Sequence, residues 1–377
     1  MPDVSPTKWH LAHMSWFFET FLLAPSLPGY SPFDPDYGFL FNSYYEAVGP
    51  RWSRPDRGLL SRPSLDQILA YRRHVDAAME RLIAGASPDC WSEIAPLIEL
   101  GLNHEQQHQE LIVMDIKHVL SLNPLSPVYV GAPPSDSAGP APLEWLPFEG
   151  GLVEIGHDGE DFAFDNEGPR HRVWLEPFVL ASRLSTCGEY LAFIEDGGYA
   201  RPELWLSDGW AAVQREGWTA PLYWRGDRIF TLHGERPLDP DEPVAHLSFY
   251  EADAFARWSG RRLPTESEWE TAAAAAKSVS SPSAAAFHPR PAAPISGLQQ
   301  LSGDLWQWTA SPYVPYPRYR PPSGAIGEYN GKFMSGQMVL RGGCIATPEG
   351  HVRPTYRNFF PPAARWAFSG VRLADDA

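Results

Sequence analysis

The sequence predicts an α+β protein in two parts: a helical bundle over residues 1–125, then a mixed domain of short strands and few helices over residues 148–377. Three observations predict it. Apolar and aromatic residues recur at three- and four-residue spacing in the first third. Short apolar runs bounded by turn residues fill the remainder. Between them, residues 126–147 are rich in Pro, Ser and Gly and read as a linker. With 377 residues, 44% hydrophobic and 13% aromatic, the chain can build two cores and is not a disordered one. Fifteen Trp beside 39 Pro and 31 Gly point to long ordered loops in the second part.

Ser5-Pro6 reads as a helix start, with Ser as cap and Pro in the first turn. Trp9, His13, Trp16, Phe17 and Phe21 then form one aromatic face. A Pro-, Tyr- and Gly-rich loop follows from Pro25 to Pro63, and Ser64 opens a second helix through Leu82. A third is predicted from about Ile94 to Leu122, with Pro96 in its first turn and Asn123-Pro124 ending it. Three helices are awkward for an up-and-down bundle, so the expectation is either more chain upstream or a partner surface on the open side. Further on, Leu152–Ile155 and His171–Leu175 read as strands, and Thr186–Glu195, Tyr250–Ser259 and Glu266–Lys277 as helices. A Ser/Pro/Ala loop to about Pro294 follows, and no internal repeat is found.

A formal net charge of −16 argues against nucleic acid and anionic membrane surfaces, both of which need clustered Lys and Arg. Cys90, Cys187 and Cys344 lack CxxC spacing and give no disulfide framework. No basic-then-apolar leader and no long apolar run is present, so a cytoplasmic protein is expected. Neither composition nor pattern sets an oligomeric state.

His104-Glu105-Gln106-Gln107-His108 places two imidazoles one helical turn apart, able to reach one ion. The same pattern fits a zinc peptidase, but the third ligand that a peptidase needs is missing: the next acidic residue beyond Glu110 and Asp115 that is a Glu is Glu144, in the linker. Taken alone, the pair also fits polar core residues. His13 on the first helix changes the balance, because a lone buried imidazole needs a partner. Three neutral imidazoles leave half of an octahedral iron open. His10, one turn away, is the rival donor and ranks second, as a capping or supporting residue.

The runs SPTKWHLAHMSWFFETFLL, NSYYEAVGPR, GLNHEQQHQELIVMDIKH, FDNEGPRHRVWLEPF, RLPTESEWE, LRGG and RPTYRNFFPP resemble the ergothioneine-biosynthesis sulfoxide synthases, or hercynine oxygenases, and their selenoneine synthase relatives. The resemblance covers nearly the whole chain. It implies a DinB-like helical bundle followed by a domain like formylglycine-generating enzyme, of C-type-lectin-like α+β fold. It implies Fe(2+) held by His13, His104 and His108, and a reaction of hercynine, O₂ and a thiol or selenol donor.

By the same resemblance, Tyr44 first and Tyr45 second manage a proton beside the metal, although paired loop tyrosines also serve as hydrophobic plugs. Gln107 is expected to bind the substrate imidazole, and Arg51 and Arg54 a donor carboxylate; four Arg between positions 51 and 62 leave that choice open. Asn358, Phe359 and Phe360 correspond to the segment that holds the substrate's carboxylate and trimethylammonium, the latter by cation–π attraction. Gly303–Trp308 and Arg341–Gly343 read as structural.

Three departures bear on the donor. Phe360 stands where users of γ-glutamylcysteine carry an acidic residue, which points to free cysteine. Ser335-Gly336 and Cys344 also differ from the common pattern and keep a selenosugar donor open. Copper-dependent formylglycine generation would need a cysteine pair, for which Cys187 and Cys344 have no motif context. The competing readings of another class are a non-catalytic metal or small-molecule binding module and a zinc peptidase.

Overall fold

The computed structural model describes residues 3–132, 141–276 and 287–377. The chain divides into two compact units, residues 1–118 with 321–331, and residues 119–320 with 332–377. The DinB-like helical part and the mixed part are both present, so the α+β class expected from the sequence holds.

In the first unit, α1 spans Thr7–Phe18, runs into a π-helical turn at Glu19–Leu23 and ends at Ser26. The wider turn brings Glu19 inward, where its carboxylate accepts from Tyr30 (2.5 Å), Tyr71 (2.7 Å) and the Phe33 amide (3.2 Å). One buried carboxylate thus ties the loop and the second helix to the first. That helix, α2, spans Leu65–Gly85 and is capped by Ser64 and Gln67 in a reciprocal capping box. Its apolar face, Ile68, Tyr71, Val75, Ala78 and Leu82, is buried at helical spacing.

The third helix, α3, spans Pro88–Ser121, starting six residues before the predicted Ile94. Ser87 accepts from the Cys90 amide (3.3 Å) and Pro88 opens the first turn, the same Ser-Pro start seen at residues 5–6. Pro96 therefore lies inside the helix, where the sequence reading puts a first turn.

Among the described residues, the second unit holds twelve short strands: β1 Trp145–Phe148, β2 Gly151–Ile155, β3 His171–Leu175, β4 Phe178–Ala181, β5 Trp224–Arg225, β6 Arg228–Thr231, β7 Gly234–Pro237, β8 Trp306–Pro312, β9 Met338–Arg341, β10 Asn358–Phe360, β11 Ser369–Gly370 and β12 Ala374–Asp376. They form sheets in the orders β1-β4-β12, β10-β9-β8-β11, β2-β3 and β5-β6-β7. The strand β1 begins inside the stretch read as linker, because Trp145–Phe148 pairs antiparallel with Phe178–Ala181. Among the described residues, this unit also holds four α-helices: α4 Cys187–Glu195, α5 Ser207–Glu216, α6 Phe249–Trp258 and α7 Glu266–Ala275. Three of them, α4, α6 and α7, carry Thr- or Ser-based capping boxes. The helix α5 was not anticipated, and the Ser/Pro/Ala stretch at 277–286 lies outside the described residues.

Buried charge organises this unit. Glu266 on α7 receives both Arg357 (2.9 and 3.0 Å) and Arg341 (3.4 Å), and Arg341 also meets Glu270 (2.5 Å). The two arginines are 0–1% exposed. Gln307 accepts from Trp269 (2.9 Å) and Arg372 (2.7 Å). Gly342 has φ +101, and a Cβ there would stand 2.4 Å from the Leu301 carbonyl oxygen. Arg341-Gly342 and Gln307 are therefore packing devices of the second unit, as their motifs suggested. Among the described residues, no helix is long and apolar enough to cross a membrane.

Candidate metal centre

Two elements of the first unit build the centre. On α3, His104 and His108 lie one turn apart, and α1 brings His13 against them. The three ring centroids are 4.7–5.1 Å apart, and one nitrogen from each lies within 4.8 Å of the others. Among the described residues this is the one histidine, cysteine or carboxylate group able to hold a metal ion.

Each ring is held for the task. The Nδ1–H of His13 donates to the Phe41 carbonyl (2.6 Å), which turns Nε2 inward; that nitrogen is buried with no hydrogen-bond partner, as is His104 Nδ1. Orphaned, buried imidazole nitrogens are costly unless they bind something, so the donor set fits a transition metal. Burial is the first cause that holds all three imidazoles below their usual range, His104 at about 3. Charge among the neighbouring histidines adds to it for His13 and His108. They are thus unprotonated at neutral pH, with lone pairs available.

His10 takes the supporting place. Its Nδ1 lies 2.8 Å from His108 Nδ1 and its Nε2 lies 3.0 Å from Asp115 Oδ2, which also accepts from the Ser5 amide (2.9 Å). The consistent proton arrangement is His108 Nδ1–H donating to His10, and His10 Nε2–H donating to Asp115. This leaves His108 Nε2 for the metal and raises its basicity. Sequence reasoning missed Asp115, though its position two turns beyond His108 was a usable signal. Replacing Asp115 with alanine is expected to weaken metal affinity roughly 10- to 100-fold. A chelator-competition titration checks this, and an unchanged affinity would refute the relay.

Stacking fixes His13 from both faces. Trp9 lies 4.9 Å from it at 10°, and Trp16 lies 5.4 Å away at 17°. The Arg57 guanidinium sits 3.4 Å over the Trp9 ring and hydrogen-bonds Ser5 and Ser43 (3.1 and 3.3 Å). Burial, with Arg54 and Arg51 nearby, pushes it down to about 9. Arg57 is the buried arginine of this loop. Arg51 instead pairs with Glu46 at the surface (2.8 Å), and Arg54 donates to the Asp3 carbonyl (2.8 Å).

The tyrosine pair divides in two. Tyr45 is buried against Trp16 and Phe21, and burial pushes its phenol far up. Tyr44 stacks on it at 4.6 Å and is half-buried. The segment 321–331, which the sequence reading leaves in the second domain, belongs to this unit. It brings Tyr329 to within 5.2 Å of the His104 ring and 6.4 Å of the Tyr44 ring, both edge-on, and its hydroxyl donates to Gln107 Oε1. In the second unit, Asn358, Phe359 and Phe360 form β10 opposite Leu340, Val339 and Met338. Phe359 stacks on Tyr313 at 4.0 Å, and Phe360 meets Trp366 edge-on at 5.2 Å. Cys187 and Cys344 are buried and not joined in a disulfide.

The DinB superfamily matches residues 1–112, and the sulfatase-modifying factor enzyme 1-like domain matches residues 141–293 and 282–377. Fold and site together define the class: a DinB-type bundle bearing a three-histidine cluster, joined to a sulfatase-modifying-factor-like domain. Hercynine oxygenases of Mycolicibacterium thermoresistibile, Mycolicibacterium smegmatis and Mycobacterium tuberculosis are 34%, 35% and 34% identical over all of this chain and 88%, 92% and 92% of their own lengths. The chain belongs to the hercynine oxygenase family and is an oxidoreductase.

Proposed function

We propose that the protein joins a thiol, with free cysteine as the first reading, to C2 of the imidazole of hercynine in an O₂-dependent reaction that yields a sulfoxide for ergothioneine biosynthesis. The observation that carries this is the buried His13–His104–His108 cluster with unprotonated rings, in a chain related to hercynine oxygenases along its whole length. The metal is proposed to be Fe(2+). When bound, it supplies O₂ activation and a site for the donor's chalcogen.

The protein's own groups have separable tasks. Asp115 and His10 keep His108 in one tautomer. Gln107 orients the imidazole of hercynine. Tyr44, the more exposed of the pair, holds and releases a proton, while Tyr45 supports it from below. Arg51 and Arg54 remain candidates for the donor's carboxylate, to which Arg57 is added on its burial beside Trp9. Asn358, Phe359 and Phe360 are proposed for the carboxylate and trimethylammonium of hercynine.

The test is purified, Fe(2+)-loaded protein under air with hercynine and, in separate arms, cysteine, γ-glutamylcysteine or a selenosugar. A sulfoxide of the cysteine adduct by mass spectrometry is expected. Turnover with the selenosugar alone would make the protein a selenoneine synthase, and no O₂ uptake with any donor would sink the oxygenase reading. A zinc-loaded sample cleaving peptides would do the same.

A further inference from the structure

Within the first unit, residues 328 and 329 make two grips on the metal-centre elements from one short turn, Ala325–Glu328 and the residue after it. The Glu328 carboxylate receives the backbone amides of Glu46 (3.0 Å) and Ala47 (2.8 Å), immediately after the tyrosine pair. The Tyr329 hydroxyl donates to the Oε1 of Gln107, next to His108 on α3. Its ring also stands edge-on to His104 and to Tyr44. A carboxylate on two successive amides is a charge-assisted, two-point hold. An amide whose oxygen is engaged by a phenol is fixed in one of its two flip states.

We propose that Glu328 and Tyr329 act as a positioning clamp: Tyr329 sets the Gln107 amide so that its N–H₂ end faces the ligand, and Glu328 holds the Tyr44 loop to the same turn. The clamp selects the ligand's protonation state. An N–H₂ donor recognises the lone pair of a neutral imidazole nitrogen and finds no acceptor on an imidazolium. This rests on the reading of Gln107 as the contact to the hercynine imidazole. Neither Glu328 nor Tyr329 touches the ligand in this scheme; both act through Gln107 and the loop.

Calorimetric titration of hercynine into the purified full chain, with and without Fe(2+), separates the two readings. Tyr329→Phe keeps the ring against His104, so metal content and melting temperature should stay unchanged. Hercynine affinity should fall about five- to tenfold, the value of one hydrogen bond. In turnover the loss should appear in the KM for hercynine and leave the KM for the thiol unaltered. Gln107→Ala should weaken hercynine by about tenfold or more, and adding Tyr329→Phe to it should cost nothing further, since the pair acts as one unit. Wild-type affinity should drop as pH falls through the range where hercynine's own imidazole protonates, and this dependence should flatten in Tyr329→Phe. If Gln107→Ala weakens binding while Tyr329→Phe does not, or if the two losses add, the clamp is wrong and the Gln107 reading stands. If Gln107→Ala changes nothing, both fall. Glu328→Gln is the second probe: it should lower turnover without altering hercynine affinity, and equal turnover would remove Glu328 from the clamp.

Discussion

Replacing His13 with alanine is expected to abolish stoichiometric metal binding and, with it, the O₂-dependent turnover proposed above. The loss should exceed by a wide margin the roughly 10- to 100-fold expected from removing a supporting partner such as Asp115. The reason is geometric: His104 and His108 come from one helix, and His13 is the group that α1 adds to them. Without it, two imidazoles remain, the stack between Trp9 and Trp16 has a gap, and the Phe41 carbonyl loses its donor. Metal analysis after dialysis against a weak chelator, beside the wild type, reads the effect. A variant that keeps one metal per chain would show that His13 is not a ligand.

The same burial gives the metal-free protein an acid sensitivity of definite sign. In the unfolded chain these histidines take up protons near 6.5, while the folded His104 resists to about 3. The unfolded state therefore binds more protons throughout that window, and stability falls as pH drops from about 6.5 toward 3. Each such histidine contributes a slope of up to about 1.4 kcal/mol per pH unit. Thermal melts of metal-free wild type between pH 7 and 5 should show this decline, and His104→Ala should show a shallower one.

Glu266→Ala is the second large effect, on folding rather than chemistry. It strands Arg357, which is essentially without solvent and has its carboxylate partner in Glu266, while Arg341 loses its longer contact and keeps Glu270. Breaking a buried pair by deleting one partner costs about 3–5 kcal/mol. For a unit of this size that lowers the melting temperature by roughly 6–20 °C. Glu266→Gln, which keeps the shape and part of the hydrogen bonding, should fall between. Scanning calorimetry decides it, and a shift of a degree or two for the alanine variant would mean that water or Glu270 compensates.

How much of this was legible follows from distance along the chain. The HxxxH pair is readable because helical spacing itself puts both rings on one side, and the capping boxes at Ser64 and Thr186 are local patterns of the same kind. The start of α3 was misplaced because Pro96 has the look of a first-turn proline, while the Ser87-Pro88 start lies within a short polar loop. Glu19 and Arg57 were passed over for another reason: composition does not separate a buried charge from a surface one, and only packing shows that two tyrosines and a tryptophan enclose them. Tyr329 and Glu328 were beyond reach. Their partners lie 222 and 282 positions away, and no periodicity links them.

The stack of Trp9, His13 and Trp16 gives the centre an optical reporter. Two indoles lie within about 5.5 Å of one imidazole, well inside the range at which an open-shell ion quenches emission. Both are fully buried, so their fluorescence is blue-shifted from that of any solvent-exposed indole among the fifteen. Loading of the site can then be followed in real time on unlabelled protein, with the blue edge of the spectrum dimming in proportion to occupancy.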